Sequence, residues 1–445
     1  MNIREISVTK LFGYLNHTIT LKEDRITIIH GPNGIGKTVL LRMVDGLFNG
    51  NFLVFNSIPF EKFIVEFTNN QTITLVKDRN NELPMGKLLL YFPDMSSEPI
   101  NIGLKNLRRE IDFPLAAIEE FIPWLDRIGP ELWRDTKTSE LLTLDEIINN
   151  FYDRLPANFQ ISIPPLKKIY KLINTHFIKT DRLRAQDKHL TDHESRLYRR
   201  NLKEDQGSAV SQYSQELSSR IQQALAKYAE ISSSLDRTFP SRLVNQRIRS
   251  QAKSKATDEA IRSELTKLED KRTRLMNVGL LDKDEKDIQL PSGPVDDMTR
   301  LVLWIYVKDV QEKLKIFDED LAKAELFQQI ISRRFSNKKF RIEKEKGIVF
   351  TAYNNETLPL NALSSGEQHE IILLYELLYN VKPNSLILID EPEISLHITW
   401  QQEFLKDLLA ITNLSKFEVL IATHSPDIIN DRWDLTISLD DIQKQ

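Results

Sequence analysis

Residues 31–38 read Gly31-Pro32-Asn33-Gly34-Ile35-Gly36-Lys37-Thr38. An apolar run, Ile26 to Ile29, precedes them and reads as a buried strand. Leu40, Val44 and Leu47 follow at helical spacing. Strand, glycine-rich loop and helix together form the context of a phosphate-binding loop. The glycines let the backbone curl with its N–H groups pointing inward. Those groups and the helix N-terminus make a cradle for anionic phosphates. Lys37 can reach the β- and γ-phosphates, and the Thr38 hydroxyl can ligand Mg²⁺. The expected ligand is therefore ATP with Mg²⁺.

Bulk properties narrow the class. A chain of 445 residues suggests two or three domains, or one domain with a large insertion. Apolar residues make up 41%, enough for a sizeable core, and charged residues 28%, which suggests long solvated helices. The net charge of −4 gives no global basic footprint for nucleic acid, though a local basic groove stays open. The absence of cysteine excludes disulfides, thiolate zinc sites and cysteine nucleophiles. Met1-Asn2-Ile3-Arg4-Glu5 is no signal peptide, and no apolar run approaches the roughly eighteen residues that span a bilayer. A soluble, cytoplasmic protein is expected, with no membrane partner.

Residues 1–29 read as β structure, with Ile6 and Val8, then Ile19 and Leu21, alternating with polar residues. Leu11-Phe12-Gly13-Tyr14 lies between the first two strands. An aromatic there either packs under the sheet or lies against an adenine ring. Phe63 to Phe67 and Thr72 to Val76 read as a hairpin turning at Asn69-Asn70. From about 104 to 155 the pattern is mixed and mainly helical, and Thr175 to Lys179 is a strand. From about 183 glycine nearly disappears. Val210, Tyr213, Leu217, Ile221, Ala224, Tyr228, Ile231 and Leu235 form a heptad seam, which Pro240 interrupts. Ile261, Leu265, Leu268 and Leu275 continue it, with Arg272 at one core position. The seams fit an antiparallel helical arm over 183–285 and equally an amphipathic bundle. After a linker at 290–294, one long helix is expected through Val307, Val310, Leu314, Phe317, Leu321 and onward to Phe335. Lys339 to Tyr353 then alternates, turning at Lys346-Gly347.

Ser385-Leu386-Ile387-Leu388-Ile389-Asp390-Glu391-Pro392 is an apolar strand ending in two acids. Asp390 can hold Mg²⁺ opposite Thr38, and Glu391 can polarise an attacking water. A second buried strand, Phe417 to Ala422, ends in Thr423-His424-Ser425-Pro426. His424 is thereby placed to sense a γ-phosphate. Leu363-Ser364-Ser365-Gly366-Glu367-Gln368 precedes an apolar helix and makes a second anion cradle. A capping box from Ser364 or Ser365 to Glu367 or Gln368 fits the same residues. One phosphate tail does not need two cradles in one chain. The second is expected to serve a nucleotide bound by another copy.

These motifs together resemble the ABC-type ATPase head of the non-transporter group that includes RecF, SMC-type and OLD-type ATPases. Gly31–Thr38 corresponds to Walker A, and Asp390 and Glu391 to Walker B and the catalytic glutamate. Leu363, Ser364, Ser365, Gly366 and Glu367 correspond to the signature motif. The commonest transporter form has Gly where Ser365 stands and Gln where Glu367 stands. The resemblance puts Ser395 and His397 at the D-loop and His424 at the switch histidine. Where the group has a Q-loop glutamine, this chain has Asp181 and Arg182. The implied fold is α/β, a P-loop head assembled from both chain ends. The implied segments are 1–182 and 291–445 for the head and 183–290 for a helical or coiled-coil insertion.

The resemblance also implies a homodimer, or a higher homo-oligomer, that buries ATP between Walker A of one chain and Ser364–Gly366 of the other. The run Asp390 to His397 is most like the OLD branch, where a Toprim nuclease domain follows the switch histidine. Here the chain runs from His424 only to Gln445. A separate Toprim-like nuclease is therefore expected, as in anti-phage systems of the PARIS and Septu types, with a phage protein as trigger. The rival expectation is a RecF-like DNA clamp. Its basic face would draw on Arg196, Arg199, Arg200, Arg242, Arg247, Arg249, Lys253 and Lys255.

Overall fold

A computed structural model describes residues 2–78 except 53, 56 and 57, then 87–92, 99–102, 115, 118–136 except 123, 140–151, 173–178, 209–249, 257–282, and 295–439 except 336. The chain forms two compact units, Met1–Asp205 with Asn380–Gln445, and Gln206–Tyr379. The expected boundaries at 182 and 290 lie outside the described residues, as do Asp181 and Arg182.

The first unit holds two large sheets. One is antiparallel, in the order β2-β1-β4-β5-β6-β7. Its strands are β1 (Ile3–Leu11), β2 (Leu15–Thr20), β4 (Lys62–Phe67), β5 (Thr72–Asp78), β6 (Lys87–Tyr91) and β7 (Ile100–Ile102). Alternation drives it: Ile6, Val8 and Ile19 are buried while their neighbours in sequence are more exposed. The β4–β5 hairpin turns at Asn69-Asn70 as expected, with Asn70 at φ 64°.

The other sheet is parallel, in the order β11-β15-β16-β3-β17. It comprises β3 (Ile26–His30), β11 (Thr175–Ile178), β15 (Leu386–Asp390), β16 (Glu418–Ala422) and β17 (Thr436–Ser438). Its inner strands are continuous apolar runs because both faces are covered. Leu386, Leu388 and Leu420 share one core with Leu40, Val44 and Leu47 of helix α1 (Lys37–Asn49) and with the inward side chains of β1 and β4. Ile387, Ile389 and Ile421, on the opposite face, are fully buried too. This order puts the C-terminal ends of β15, β16 and β3 side by side, where α/β sheets gather ligands.

A small antiparallel sheet, β8 (Leu125–Gly129), β9 (Leu132–Asp135) and β10 (Leu141–Thr143), has its own core. Helices α2 (Ile118–Phe121) and α3 (Leu144–Phe151) close it around Trp133. The expectation of a mainly helical stretch is corrected here. Among the described residues of this stretch three strands stand beside the two short helices, and Pro130-Glu131 is the turn of the β8–β9 hairpin.

The second unit is a helical bundle with a three-stranded meander. Its helices are α4 (Ala209–Arg249), α5 (Asp258–Asn277), α6 (Asp297–Lys315), α7 (Asp318–Arg334) and α8 (Ser365–Tyr375). Its strands are β12 (Lys339–Glu343), β13 (Gly347–Thr351) and β14 (Thr357–Leu358). Helix α4 packs on α6, α8 and β13, and α5 packs on α6. The seams thus pack as a bundle over the described residues. Val210, Leu217, Ile221 and Ala224 are buried, whereas Tyr228, Ile231 and Leu235 are half-buried.

Two expectations are corrected in this unit. Helix α4 runs straight through Pro240. The Leu235 carbonyl, in the turn below the ring, accepts from Arg242 Nη2 at 2.8 Å and Thr238 Oγ1 at 3.2 Å. A proline supplies no N–H, so the carbonyl four residues back, that of Asp236, loses its usual helical donor, and the helix nonetheless continues to Arg249. The single long helix is in fact two, parted at Ile316-Phe317. Lys313 and Lys315 end α6, and Asp318, Glu319 and Asp320 open α7, each set matching its helix dipole. Phe317 at the break is fully buried.

Candidate active site

Gly31, Gly34 and Gly36 take φ of 151°, 84° and 96°. Gly36 caps α1 in the left-handed region, and Leu11 and Phe12 press on it. A Cβ there would lie 2.6 Å from Leu11 Cδ2 and 3.3 Å from the Phe12 ring. Only glycine satisfies both demands. From β2, the buried His17 donates through Nε2 to the Ile35 carbonyl at 2.9 Å. Burial lowers the pKa of His17, with the hydrogen bond to Ile35 opposing, so the ring is held neutral. The loop carrying Pro32, Asn33 and Ile35 is therefore braced by the β1–β2 hairpin. Phe12 is 37% exposed and Tyr14 69%, so neither is buried under the sheet.

Lys37 opens α1 and is buried. Its ammonium donates to the carbonyls of Gly31 at 2.7 Å and Pro32 at 2.9 Å, and lies 3.3 Å from His424 Nδ1. Thr38 Oγ1 donates to Asp390 Oδ1 at 3.0 Å. Burial first, then the Glu391 and Glu393 carboxylates, push the Asp390 pKa up; the Thr38 hydroxyl and Arg42 oppose. A divalent cation would relieve that cost. Two oxygen donors converging beside a phosphate loop suit Mg²⁺, which takes one or two protein oxygens and otherwise phosphate or water.

Glu391 leaves β15 in the left-handed region, φ 43° and ψ 60°, an uncommon conformation for a residue with a Cβ. Its N–H donates to the Ala422 carbonyl at 2.8 Å, fixing the turn against β16. Its Oε1 lies 3.7 Å from His424 Nε2. An ammonium can only donate, so His424 Nδ1 accepts from Lys37 and Nε2 carries the proton toward Glu391. Lys37, His424 and Glu391 thus form one chain of contacts.

Ser395 ends a 3-10 turn, Pro392–Ser395, and His397 caps helix α9 (Ile398–Ser415), accepting from Thr399 N at 3.4 Å. Within the second unit, Leu363 is buried and Ser364 caps α8, with Ser365 and Gly366 in its first turn. The capping box is formed: Glu367 N–H donates to Ser364 Oγ at 3.3 Å, and Ser364 N–H to Glu367 Oε2 at 2.8 Å. Lys338 pairs with Glu367. Burial works against the Glu367 charge, yet the Lys338 and Ser364 hydrogen bonds hold its pKa below the usual range. Arg334 pairs with Glu370 one turn on, fully buried.

Sequence reasoning passed over Glu393, Gln401 and His17. Glu393 lies within the run Asp390 to His397, and His17 alternates inward on β2, but neither local pattern names a partner. Of the basic residues offered for a DNA face, Arg242 is committed to Asp309, Nη2 to Oδ2 at 2.7 Å. Arg247 and Arg249 lie in the last turn of α4; Arg196, Arg199, Arg200, Lys253 and Lys255 lie outside the described residues. Among the described residues no helix is long and apolar enough to cross a membrane.

No curated protein matches the chain. Among solved structures it is similar to the SMC head domain from Thermotoga maritima: 13% identity, TM-score 0.35, covering 97% of this chain and 93% of that one. It is also similar to a Smc head domain with an extended coiled coil bound to the C-terminal domain of ScpA, from Pyrococcus furiosus: 12%, TM-score 0.34, covering 98% and 93%. A third is a Smc head domain with a coiled coil and joint from Pyrococcus yayanosii: 14%, TM-score 0.35, covering 98% and 94%. At those scores the likeness adds nothing to the fold read from the strand order. The AAA ATPase domain model matches residues 1–429, spanning the phosphate loop, the acid pair and the histidine. The chain belongs to the AAA ATPase domain family.

Proposed function

We propose that this chain hydrolyses ATP at a site completed by a second copy of itself. The observation that carries the reading is the convergence of Lys37, Thr38, Asp390, Glu391 and His424 at three adjacent strand ends. The loop N–H groups and Lys37 hold the phosphates, and Phe12 stands beside the loop for the base. Thr38 and Asp390 would hold Mg²⁺, which supplies charge neutralisation at the phosphates. Glu391 takes the proton of a water whose oxygen attacks the γ-phosphorus, while the bond to the β–γ bridging oxygen breaks. His424, with Nε2–H, donates to the γ-phosphate oxygens as charge develops there. Ser364, at the N-terminus of α8, contacts the γ-phosphate held by the other copy. Loss of that phosphate lets the copies part, so hydrolysis gates shape.

The resemblance to anti-phage ATPase subunits extends this to a sensor that restrains a nuclease carried by another chain and answers to a phage protein. A DNA clamp is the second reading; salt-sensitive, ATP-dependent duplex binding would favour it. The test of the hydrolytic core is Glu391→Gln. It should bind ATP and accumulate as a dimer, with turnover down about 10²-fold or more. Wild-type turnover from that variant would overturn the assignment.

A further inference from the structure

Glu393 lies two residues beyond Glu391, and no step above uses it. Its Oε1 accepts the backbone N–H of His424 at 2.7 Å. Its own carbonyl accepts from Gln401 Nε2 at 3.2 Å, and the same amide donates to the Leu396 carbonyl at 3.1 Å. The other end of Gln401, Oε1, accepts the Ser425 hydroxyl at 2.8 Å. Ser425 N–H donates to Thr423 Oγ1 at 3.0 Å. The loop after β16 is therefore fastened at two consecutive residues, His424 through its main chain and Ser425 through its side chain. Both fastenings run to the 3-10 turn that leaves Glu391 and to the first turn of α9.

One hydrogen-bonded piece thus carries both reacting groups of the proposed site. Glu391 leaves it in the left-handed region, and Glu393 reaches back one turn later to the histidine backbone. The second oxygen, Glu393 Oε2, is buried without a hydrogen-bond partner. Glu393 also helps raise the Asp390 pKa. A carboxylate oxygen buried without a partner is a cost to the fold, and such costs mark places where geometry is under functional constraint.

We propose that Glu393, locked by Gln401, is a positioning residue that sets His424 against Glu391 and the γ-phosphate. The inference rests on the hydrolytic reading of Glu391 and His424 above. Steady-state ATP hydrolysis is measured for Glu393→Ala, Glu393→Gln, His424→Ala and the double variant Glu393→Ala/His424→Ala. Glu393→Ala should lower kcat about tenfold, with KM for ATP changed less than about twofold, because misplacement costs rate and not grip. Glu393→Gln keeps an acceptor oxygen and should recover most of the rate. In the His424→Ala background the Glu393→Ala change should add no further loss, since both act through one side chain. Gln401→Ala should repeat the pattern and carries the test if Glu393→Ala does not fold. Full turnover from a folded Glu393→Ala beside an impaired His424→Ala would overturn the positioning role, as would a loss that persists in the His424→Ala background. Full turnover from His424→Ala would instead overturn the hydrolytic reading, and this inference with it.

Discussion

The Lys37 ammonium lies 3.3 Å from Nδ1 of His424, although 387 residues separate them in the chain. The same ammonium is shared with the Gly31 and Pro32 carbonyls. Phosphate oxygens compete for all three contacts. Binding would draw Lys37 off Nδ1 and leave the ring free to turn its Nε2–H toward the γ-phosphate. Grip and sensing are thus coupled through one cation.

That coupling separates two variants. Lys37→Ala should lose ATP binding outright. His424→Ala should keep ATP affinity within about threefold and lose about 10²-fold in kcat, the usual worth of a group that acts on developing charge. Fluorescent-nucleotide titration and phosphate release, run side by side, check the split. Equal losses in both measurements for both variants would contradict it.

His17 braces the phosphate loop by donating to the Ile35 carbonyl, and burial penalises charging its ring. Its folded pKa is lowered by burial, so its contribution is present above the unfolded pKa and is lost as pH falls through that value toward the folded one. The wild-type melting temperature should therefore drop faster between pH 7.5 and 5.5, on the order of two pH units around an unperturbed histidine, than that of His17→Gln. Glutamine can donate to Ile35 and does not titrate. Parallel curves would show that His17 carries no such term.

Gly347 is where α4 crosses the β12–β13 turn. Its φ is 71°, and a Cβ would lie 1.9 Å from the Ser214 carbonyl oxygen. Ser214 Oγ also accepts Ile348 N–H at 2.8 Å and donates to the Lys346 carbonyl at 2.7 Å. Gly347→Ala should destabilise by about 3 kcal/mol or more, combining left-handed strain with overpacking. Chemical denaturation measures it, and a change within about 0.5 kcal/mol would contradict the close approach.

What the sequence disclosed follows from how local each signal is. The loop at 31–38, the strand ends at 390 and 422 and the cap at Ser364 are each set by a few consecutive residues, so they were legible. The α6–α7 break was equally local, in Lys313 and Lys315 against Asp318 to Asp320, but the apolar spacing across Phe317 hid it. Pro240 misled for the opposite reason: α4 packs on α6 around it, with Arg242 held by Asp309, and those long-range contacts are not written in the local sequence. Glu393 was invisible because its partner is a main-chain N–H on another strand's loop, a contact that exists only after β15 and β16 pair.

The central claim is that one site draws on two copies of the chain. Lys37→Ala and Ser364→Arg each disable one half of every site in their own homodimer. A mixed dimer pairs an intact loop from the Ser364→Arg chain with an intact Ser364 from the Lys37→Ala chain. Each variant alone should be inactive, and an equal mixture should recover about a quarter of the wild-type turnover, one working site in half the dimers of a two-fold assembly. A mixture as inactive as its components, with mixed dimers shown to form, would contradict the account.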